Sequence, residues 1–225
     1  MKIEKIAVIG AGTMGNGIAH TFAQYGYQTY LCDVNGAILD KAVSTITSNI
    51  DRQIKKGTLS EDQKTKILGR ITKIEGFKKI PNNVNLIIEA IIENKSNKTS
   101  LFKELQTSIN PDCIFASNTS SISITEMATV SRPEKFIGMH FMNPVPVMKL
   151  VEIIRGYSTS NETYETIKHV CLSLHKEPVE VNDYPGFISN RVLLPMINEA
   201  IFTLYEGVAS AEDIDKVMKL SAKLL

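Results

Sequence analysis

Cysteine is scarce: Cys32, Cys113 and Cys171 are the only three in 225 residues, odd in number, widely spaced and set in apolar runs. That pattern fits reduced packing residues without chemistry better than a disulfide framework or a cysteine metal cluster. No metal is expected. Long hydrophobic runs are also missing, since every apolar segment breaks well before the ~18 residues that a membrane span needs. The N-terminus MKIEKIAVIGAG enters strand-like sequence without a signal-peptide core. The expectation is a soluble, cytoplasmic chain with no membrane partner. Repeats and low-complexity segments are absent too. With 43 % hydrophobic and 22 % charged residues the chain is globular, long enough for one large domain or one and a half.

Net charge is nearly absent as well, at +1, but the balance is uneven. Residues 52 to 79 hold nine basic side chains against three acidic ones, an excess of six, so the remainder carries a net −5. Such a segment is either a solvated helix face or a landing site for a polyanionic ligand. Phe77 is its one aromatic, too few for stacking bases, and no nucleic-acid partner is expected.

What is present is an alternation of short apolar β-rich runs with helical patterns. IEKIAVIG reads as a strand, TMGNGIAHTFAQYG as a helix ended by Gly26, and QTYLCD as a second strand. A long helix is expected from 36 to 56, and TLSEDQKTKILGRI offers Ser60 with Gln63 as a capping box for another. These two helices are expected to carry the basic segment. NVNLIIEAI, CIFASN and KFIGMHF read as further strands, with KTSLFKELQTSI and ITEMATV as helices between them. A helix at about 161 to 175 and a strand EPVEV follow, and DYPG then breaks the chain near 183 to 186. Beyond it the sequence reads as helix, from 187 to 206 with Pro195 inside and from 211 to 225. The expected class is α/β: a doubly wound, mainly parallel sheet followed by an incomplete all-helical domain.

GAGTMG, from Gly10 through Ala11, Gly12, Thr13 and Met14 to Gly15, is G-x-G-x-x-G at a strand-to-helix junction, and Asp33 ends the next strand 18 residues after Gly15. Gly10 permits the tight turn, Gly12 lets backbone N–H groups reach a pyrophosphate, Gly15 allows close helix packing, and Asp33 accepts from a ribose hydroxyl. The pattern is that of a Rossmann-type dinucleotide site. A carboxylate at 33 repels a 2′-phosphate, so NAD is favoured over NADP. In HFMNPVPVMKLVE, His140 and Glu152 lie six residues on either side of Pro146. If the flanking runs pair as a hairpin, the two face each other as a base and its orienting carboxylate. The bland alternative is a surface hairpin whose His and Glu touch water. Glu93, Lys98, Asn118 and Ser120 follow apolar strands, where side chains line the crevice of a doubly wound sheet; a cap or turn role is the equal alternative. Asn190, an amide on an apolar helix stripe, needs a partner, and backbone freed by Pro195 could be that partner.

GAGTMGNGIA, IIEAIIEN, FASNTSSISI, GMHFMNPVPVMKLVEII and DYPGFISNRVLLPMINEAI together resemble the motifs of the L-3-hydroxyacyl-CoA dehydrogenase family, most closely its bacterial 3-hydroxybutyryl-CoA branch. The resemblance runs from residue 3 to about 219. It implies an NAD-dependent oxidoreductase acting on an acyl-CoA, with His140 and Glu152 as acid/base dyad and Ser120 and Asn190 as active-site partners. Cofactor contacts are implied at residues 10 to 15, Asp33, Glu93, Lys98, Asn118 and Asn143, and substrate contacts at Ser48, Lys55 and Ser120. It divides the chain into an NAD-binding domain, 1–184, and the start of a helical substrate and dimerisation domain, 185–225. Family members continue beyond MKL at 218 to 220, so the chain is expected to be truncated; the family also implies a homodimer. A non-CoA hydroxy-acid dehydrogenase, and a non-catalytic dinucleotide-binding relative or truncated product that folds without turnover, are the alternatives; the Lys-rich segment argues against the first and the His–Glu pair for chemistry in the parent sequence.

One outcome follows for the cofactor. Asp33→Ala weakens NAD binding and improves NADP relative to it, because the carboxylate both accepts from the ribose and repels phosphate. Titration of both reduced dinucleotides checks it, and a ratio that does not move takes Asp33 off the ribose.

Overall fold

The computed structural model describes residues 2–222. KIAVI forms β1 (Lys5–Ile9), and the glycine turn leads into α1 (Thr13–Gln24). Then come β2 (Gln28–Asp33), α2 (Gly36–Lys55), capped by Asn35, and α3 (Glu61–Gly69), whose Ser60 and Gln63 form the reciprocal capping box. Here the structure adds a strand that the helical reading of TLSEDQKTKILGRI passes over. Helix α3 stops at Gly69, and β3 (Ile71–Glu75) pairs with β2. The strand sits at a sheet edge, so its ITKIE buries only Ile74 fully and lacks the continuous apolar run that marks the central strands. The basic segment is thus spread over helix, edge strand and the short turn of 3₁₀ helix Phe77–Lys79, not over two helices.

The chain continues through β4 (Leu86–Glu89), α4 (Lys95–Ser108), β5 (Ile114–Ser117), α5 (Ile124–Ala128), β6 (Phe136–Phe141), β7 (Leu150–Arg155), α6 (Asn161–Ser173) and β8 (Glu177–Asn182). These make one eight-stranded sheet in the order β3-β2-β1-β4-β5-β6-β7-β8. Every neighbouring pair is parallel except β6 with β7. Alternate strand residues feed two faces. Ile6, Val8, Leu86 and Ile88 pack with Ile18, Phe22, Ile46, Ile50 and Ile167 from α1, α2 and α6. On the other face Phe102 of α4 meets Phe136 edge-on at 4.7 Å and Phe115 at 5.7 Å. All three cysteines are free and buried.

Two compact units divide the chain, Met1–Tyr184 and Pro185–Leu225. The first closes on Asp183, whose carboxylate accepts from Ser123 Oγ at 2.7 Å, Thr125 N at 2.8 Å and Ile124 N at 3.1 Å and so caps α5. The second holds α7 (Ser189–Tyr205), which stays continuous through Pro195, and α8 (Ala211–Ser221), capped by Ser210. Of the helix expected from 211 to 225, residues 223–225 lie outside the described residues. Among the described residues no helix is long and apolar enough to cross a membrane, and no cluster of side chains could hold a metal ion.

One core residue carries a pH cost. His20 of α1 is fully buried, and among the described residues its Nδ1 meets no hydrogen-bond partner. Burial lowers its pKa from 6.5 to about 4. Between those values the unfolded chain takes up a proton that the folded chain refuses, so stability present above pH 6.5 falls as pH drops towards 4, by at most about 3 kcal/mol. His20→Gln removes that slope. Urea melts at pH 7, 5.5 and 4.5 check it, and an unchanged slope would clear His20 of any part.

Candidate active site

The carboxyl ends of β1, β2, β4, β5 and β6 lie along one edge of the sheet, and strand order reverses between β1 and β4. A crevice opens at such a switch point. The glycine turn forms one wall. At Gly10, φ is +99° and an added Cβ would stand 2.4 Å from the Ala90 carbonyl oxygen; at Gly15 it would stand 1.6 Å from the Gly10 oxygen. Neither position admits a side chain. Gly12 is different, because nothing lies within 4 Å of the place its Cβ would take. Its backbone faces open space at the N-terminus of α1, which is a cradle of the kind a pyrophosphate fills. Asp33 ties the turn to β2, its Oδ2 accepting from Ala11 N at 2.8 Å and its Oδ1 from Val34 N at 2.8 Å. A cavity of about 790 Å³ runs from Gly10, Gly12 and Asp33 past Ile38 and Ile92 to Phe77 and Glu104. Its size, apolar walls and acidic residue beside the glycine turn fit the adenosine half of NAD.

At the other end the hairpin delivers its pair. The antiparallel register sets His140 directly opposite Glu152, and His140 Nδ1 lies 2.7 Å from Glu152 Oε2. Both are buried. The second ring nitrogen, Nε2, is 3.1 Å from Ser120 Oγ. An ionised Glu152 can only accept, so the proton sits on Nδ1 and Nε2 presents its lone pair.

Ser120 is placed by a carboxylate network of which the sequence revealed half. Glu93 Oε1 accepts from Ser120 N at 2.9 Å, Ser121 N at 3.2 Å, Ser121 Oγ at 3.0 Å and Thr119 Oγ1, which shapes the loop after β5. Its Oε2 lies 3.1 Å from Lys98 Nζ. Burial disfavours the charge of Glu93, but the Thr119 hydroxyl and the Lys98 ammonium outweigh it and hold its pKa below the ordinary value. Lys98 is itself buried, and a further bond of 2.6 Å runs to Glu89 Oε1. Lys98 therefore serves the carboxylates and does not line the large cavity. Glu89, fully buried, also accepts from Ile91 N at 2.7 Å and Ser117 Oγ at 2.5 Å, and burial pushes its pKa up against the pull of Lys98. Glu89, Ser117, Thr119 and Ser121 were missed as site residues. An acid inside the apolar run NLIIEAI was the signal that could have found Glu89, since a charge there needs a partner.

Asn118 faces inward, its Oδ1 accepting from Phe141 N at 3.0 Å, and so clasps the end of β5 to the end of β6. Asn143 lines a second cavity of about 400 Å³ with Gly12, Thr13, Asn16, Lys41, Thr45 and Asn49. The α2 residues on this cavity are Ile38, Lys41, Ala42, Thr45 and Asn49, and Ser48 and Lys55 stand exposed off it. Ser48 points about 100° away from Asn49 around the helix, on the solvent side of α2 with Lys55 one further pair of turns along it. Part of the basic segment is already matched: Lys64 with Asp51 at 2.5 Å, Lys73 with Asp40 at 2.5 Å and Lys78 with Glu104 at 3.3 Å. Asn190 lies in the first turn of α7, in the second unit.

Known proteins share this arrangement along nearly the whole chain. Residues 5–184 match the family model described as 3-hydroxyacyl-CoA dehydrogenase, NAD binding domain, and residues 186–224 match the corresponding C-terminal domain. A 3-hydroxybutyryl-CoA dehydrogenase of Bradyrhizobium diazoefficiens is 49 % identical over 98 % of this chain and 75 % of its own length. The human mitochondrial hydroxyacyl-coenzyme A dehydrogenase is 41 % identical over 98 % of this chain and 72 % of its own. The crystal structure of an (S)-3-hydroxybutyryl-CoA dehydrogenase from Ralstonia eutropha superposes with a TM-score of 0.96 at 44 % identity, covering 99 % of this chain and 79 % of that one. Similarity of that degree, running through both units and through the dinucleotide turn, leaves one assignment: the chain belongs to the 3-hydroxyacyl-CoA dehydrogenase family.

Proposed function

We propose that the chain interconverts (S)-3-hydroxybutyryl-CoA and acetoacetyl-CoA with NAD, using His140 as the acid/base group. The observation that carries this reading is the line from half-buried Ser120 through buried His140 to buried Glu152, at the crevice end of a dinucleotide fold. The four-carbon substrate is supported by the names of the bacterial relatives.

Oxidation moves a hydride from carbon 3 of the substrate and a proton from its hydroxyl, leaving a carbonyl. Bound NAD supplies the acceptor for the hydride. The proton is the chain's task, and Nε2 of His140 is the lone pair aimed at it. Glu152, 2.7 Å from the far nitrogen, holds the ring in that tautomer and stabilises the imidazolium once the proton has arrived. In reduction the same nitrogen returns the proton to the oxygen of acetoacetyl-CoA. Ser120 Oγ, at hydrogen-bond distance from Nε2, orients the substrate oxygen and donates as charge builds there. The residues at 10 to 15 and Asp33 hold the dinucleotide, Glu93 shapes the Ser120 loop beside it, and Asn143 contributes an amide from the hairpin turn. CoA is polyanionic, and the exposed end of α2 with Lys55 and Lys56 is the surface proposed to draw it in. A second copy of the chain is proposed to cover α7, on which Val192, Leu193, Leu194, Ile197 and Ile201 stand exposed.

His140→Gln lowers kcat by about 10² to 10⁴, the usual worth of a placed acid/base group, and leaves NADH binding nearly intact. NADH oxidation with acetoacetyl-CoA, beside a fluorescence titration of NADH, measures both, and an unchanged kcat removes His140 from the mechanism. Neutralising Lys55 and Lys56 raises KM for acetoacetyl-CoA, with a defect that shrinks at high salt while NADH affinity holds. Equal losses for both ligands would point to damaged folding.

A further inference from the structure

The turn between β6 and β7 carries Asn143 and joins the strands that bear His140 and Glu152, yet it is poorly supplied with its own donors. Pro144 and Pro146 have no N–H. The internal backbone bonds run from Val147 N and Met148 N to the single Pro144 oxygen, each at 3.0 Å. Two other carbonyls of the turn are satisfied from outside. The ammonium of Lys176 lies 2.5 Å from the Val145 oxygen and 2.8 Å from the Met148 oxygen. Lys176 is only 6 % exposed, and among the described residues it forms no ion pair with a carboxylate. A buried ammonium is costly, and hydrogen bonds to two carbonyl dipoles are what offset that cost.

The location matters as much as the bonds. Lys176 immediately precedes β8, at the point where Glu177 begins its pairing with Leu150 of β7. Val145, whose oxygen it holds, is 1 % exposed and packs on α1: a Cβ at Gly17 would come within 3.0 Å of the Val145 Cβ. The turn is thus pressed on α1 from one side and clamped by the ammonium from the other. Asn143, two residues before Val145, lines the second cavity together with Gly12 and Thr13 of the dinucleotide turn.

We propose that Lys176 is a positioning residue for the reaction: clamped between the carbonyl oxygens of Val145 and Met148, it sets the turn that presents Asn143 to the cavity and closes the His140–Glu152 hairpin. This rests on the reading of that hairpin as the catalytic element. Lys176 touches no reacting atom and acts through the backbone. A plain structural staple between α6 and β8 would hold the sheet edge in general; a clamp on the turn holds residues 143 to 148 in particular.

Lys176→Met keeps the apolar stem and removes the donors. In hydrogen exchange on the ligand-free chain, the Val147 and Met148 amides should exchange at least about tenfold faster while β1 and β4 stay as protected as before. With acetoacetyl-CoA, kcat should fall by about 10- to 100-fold, the usual cost of a reacting group held slightly off place, with the NADH dissociation constant moving less than about threefold. Three outcomes overturn the proposal: exchange that accelerates evenly through β6, β7 and β8, local acceleration with kcat unchanged, or no acceleration in the turn. Should the methionine variant fail to fold, Lys176→Gln, neutral and still able to donate to one carbonyl, should give the same local pattern with a smaller loss of kcat. A wild-type chain that binds NADH but reduces no acetoacetyl-CoA would overturn the proposed function instead, and the exchange measurement alone would then decide whether Lys176 holds the turn.

Discussion

A carboxylate inside a sheet must have a partner, and among the described residues two are buried on strands, Glu89 at the end of β4 and Glu152 within β7. An unpaired buried charge costs several kcal/mol, and breaking a buried pair costs roughly 3 to 5. Glu152 meets that demand with His140, and Glu89 with Lys98 and Ser117. Much of the crevice follows from those two obligations. Lys98, drawn inward by Glu89, also reaches Glu93; Glu93 then gathers the loop 119–121; and that loop sets Ser120 against the imidazole that Glu152 holds. The Ser120–His140–Glu152 geometry is the end of a chain of charge compensation that begins below the surface.

The dinucleotide side depends on a different constraint, the close approach of backbone to backbone. Gly10 sits against the Ala90 carbonyl and Gly15 against the Gly10 carbonyl, so the turn is packed to contact on its inner side and empty at Gly12 on its outer side. Asp33 secures the same turn by accepting from Ala11 N. Substituting Asp33 therefore touches two things at once, the proposed ribose contact and the turn, whereas the ratio of NAD to NADP reports the first alone.

Central elements were legible in the sequence because local and global signals agree there. The strands before Gly10 and at 28 to 33, the Ser60–Gln63 box and the two-sided placement of His140 and Glu152 about Pro146 all rest on short-range patterns that the fold keeps. The edge strand β3 was hidden because its inward residues, Ile71 and Ile74, are three apart, the spacing of a helix face and not of an alternating strand. Glu89, Thr119 and Ser121 were hidden because their partners are 28, 26 and 28 residues away, at Ser117 for the first and at Glu93 for the other two, and only the sheet brings them together.

The single antiparallel pair explains why the histidine and its carboxylate come from β6 and β7. In a parallel sheet each strand is followed by a crossover that carries the chain back to the other end, so residues at the same end belong to strands separated by a whole helix. Glu89 and Ser117 meet that way, through α4. A hairpin is the one connection that brings two side chains face to face at the crevice end within twelve residues, as His140 and Glu152 are. In that register β7 cannot slip by one residue against β6 without turning Glu152 to the face of the sheet opposite His140. Reversing β7 therefore fixes the spacing of His140 and Glu152 through the backbone ladder itself, and it leaves a proline-bearing turn between them. Because two of that turn's residues lack an N–H, its carbonyls need a donor from elsewhere in the fold, and the start of β8 beside β7 is the nearest element from which Lys176 supplies it.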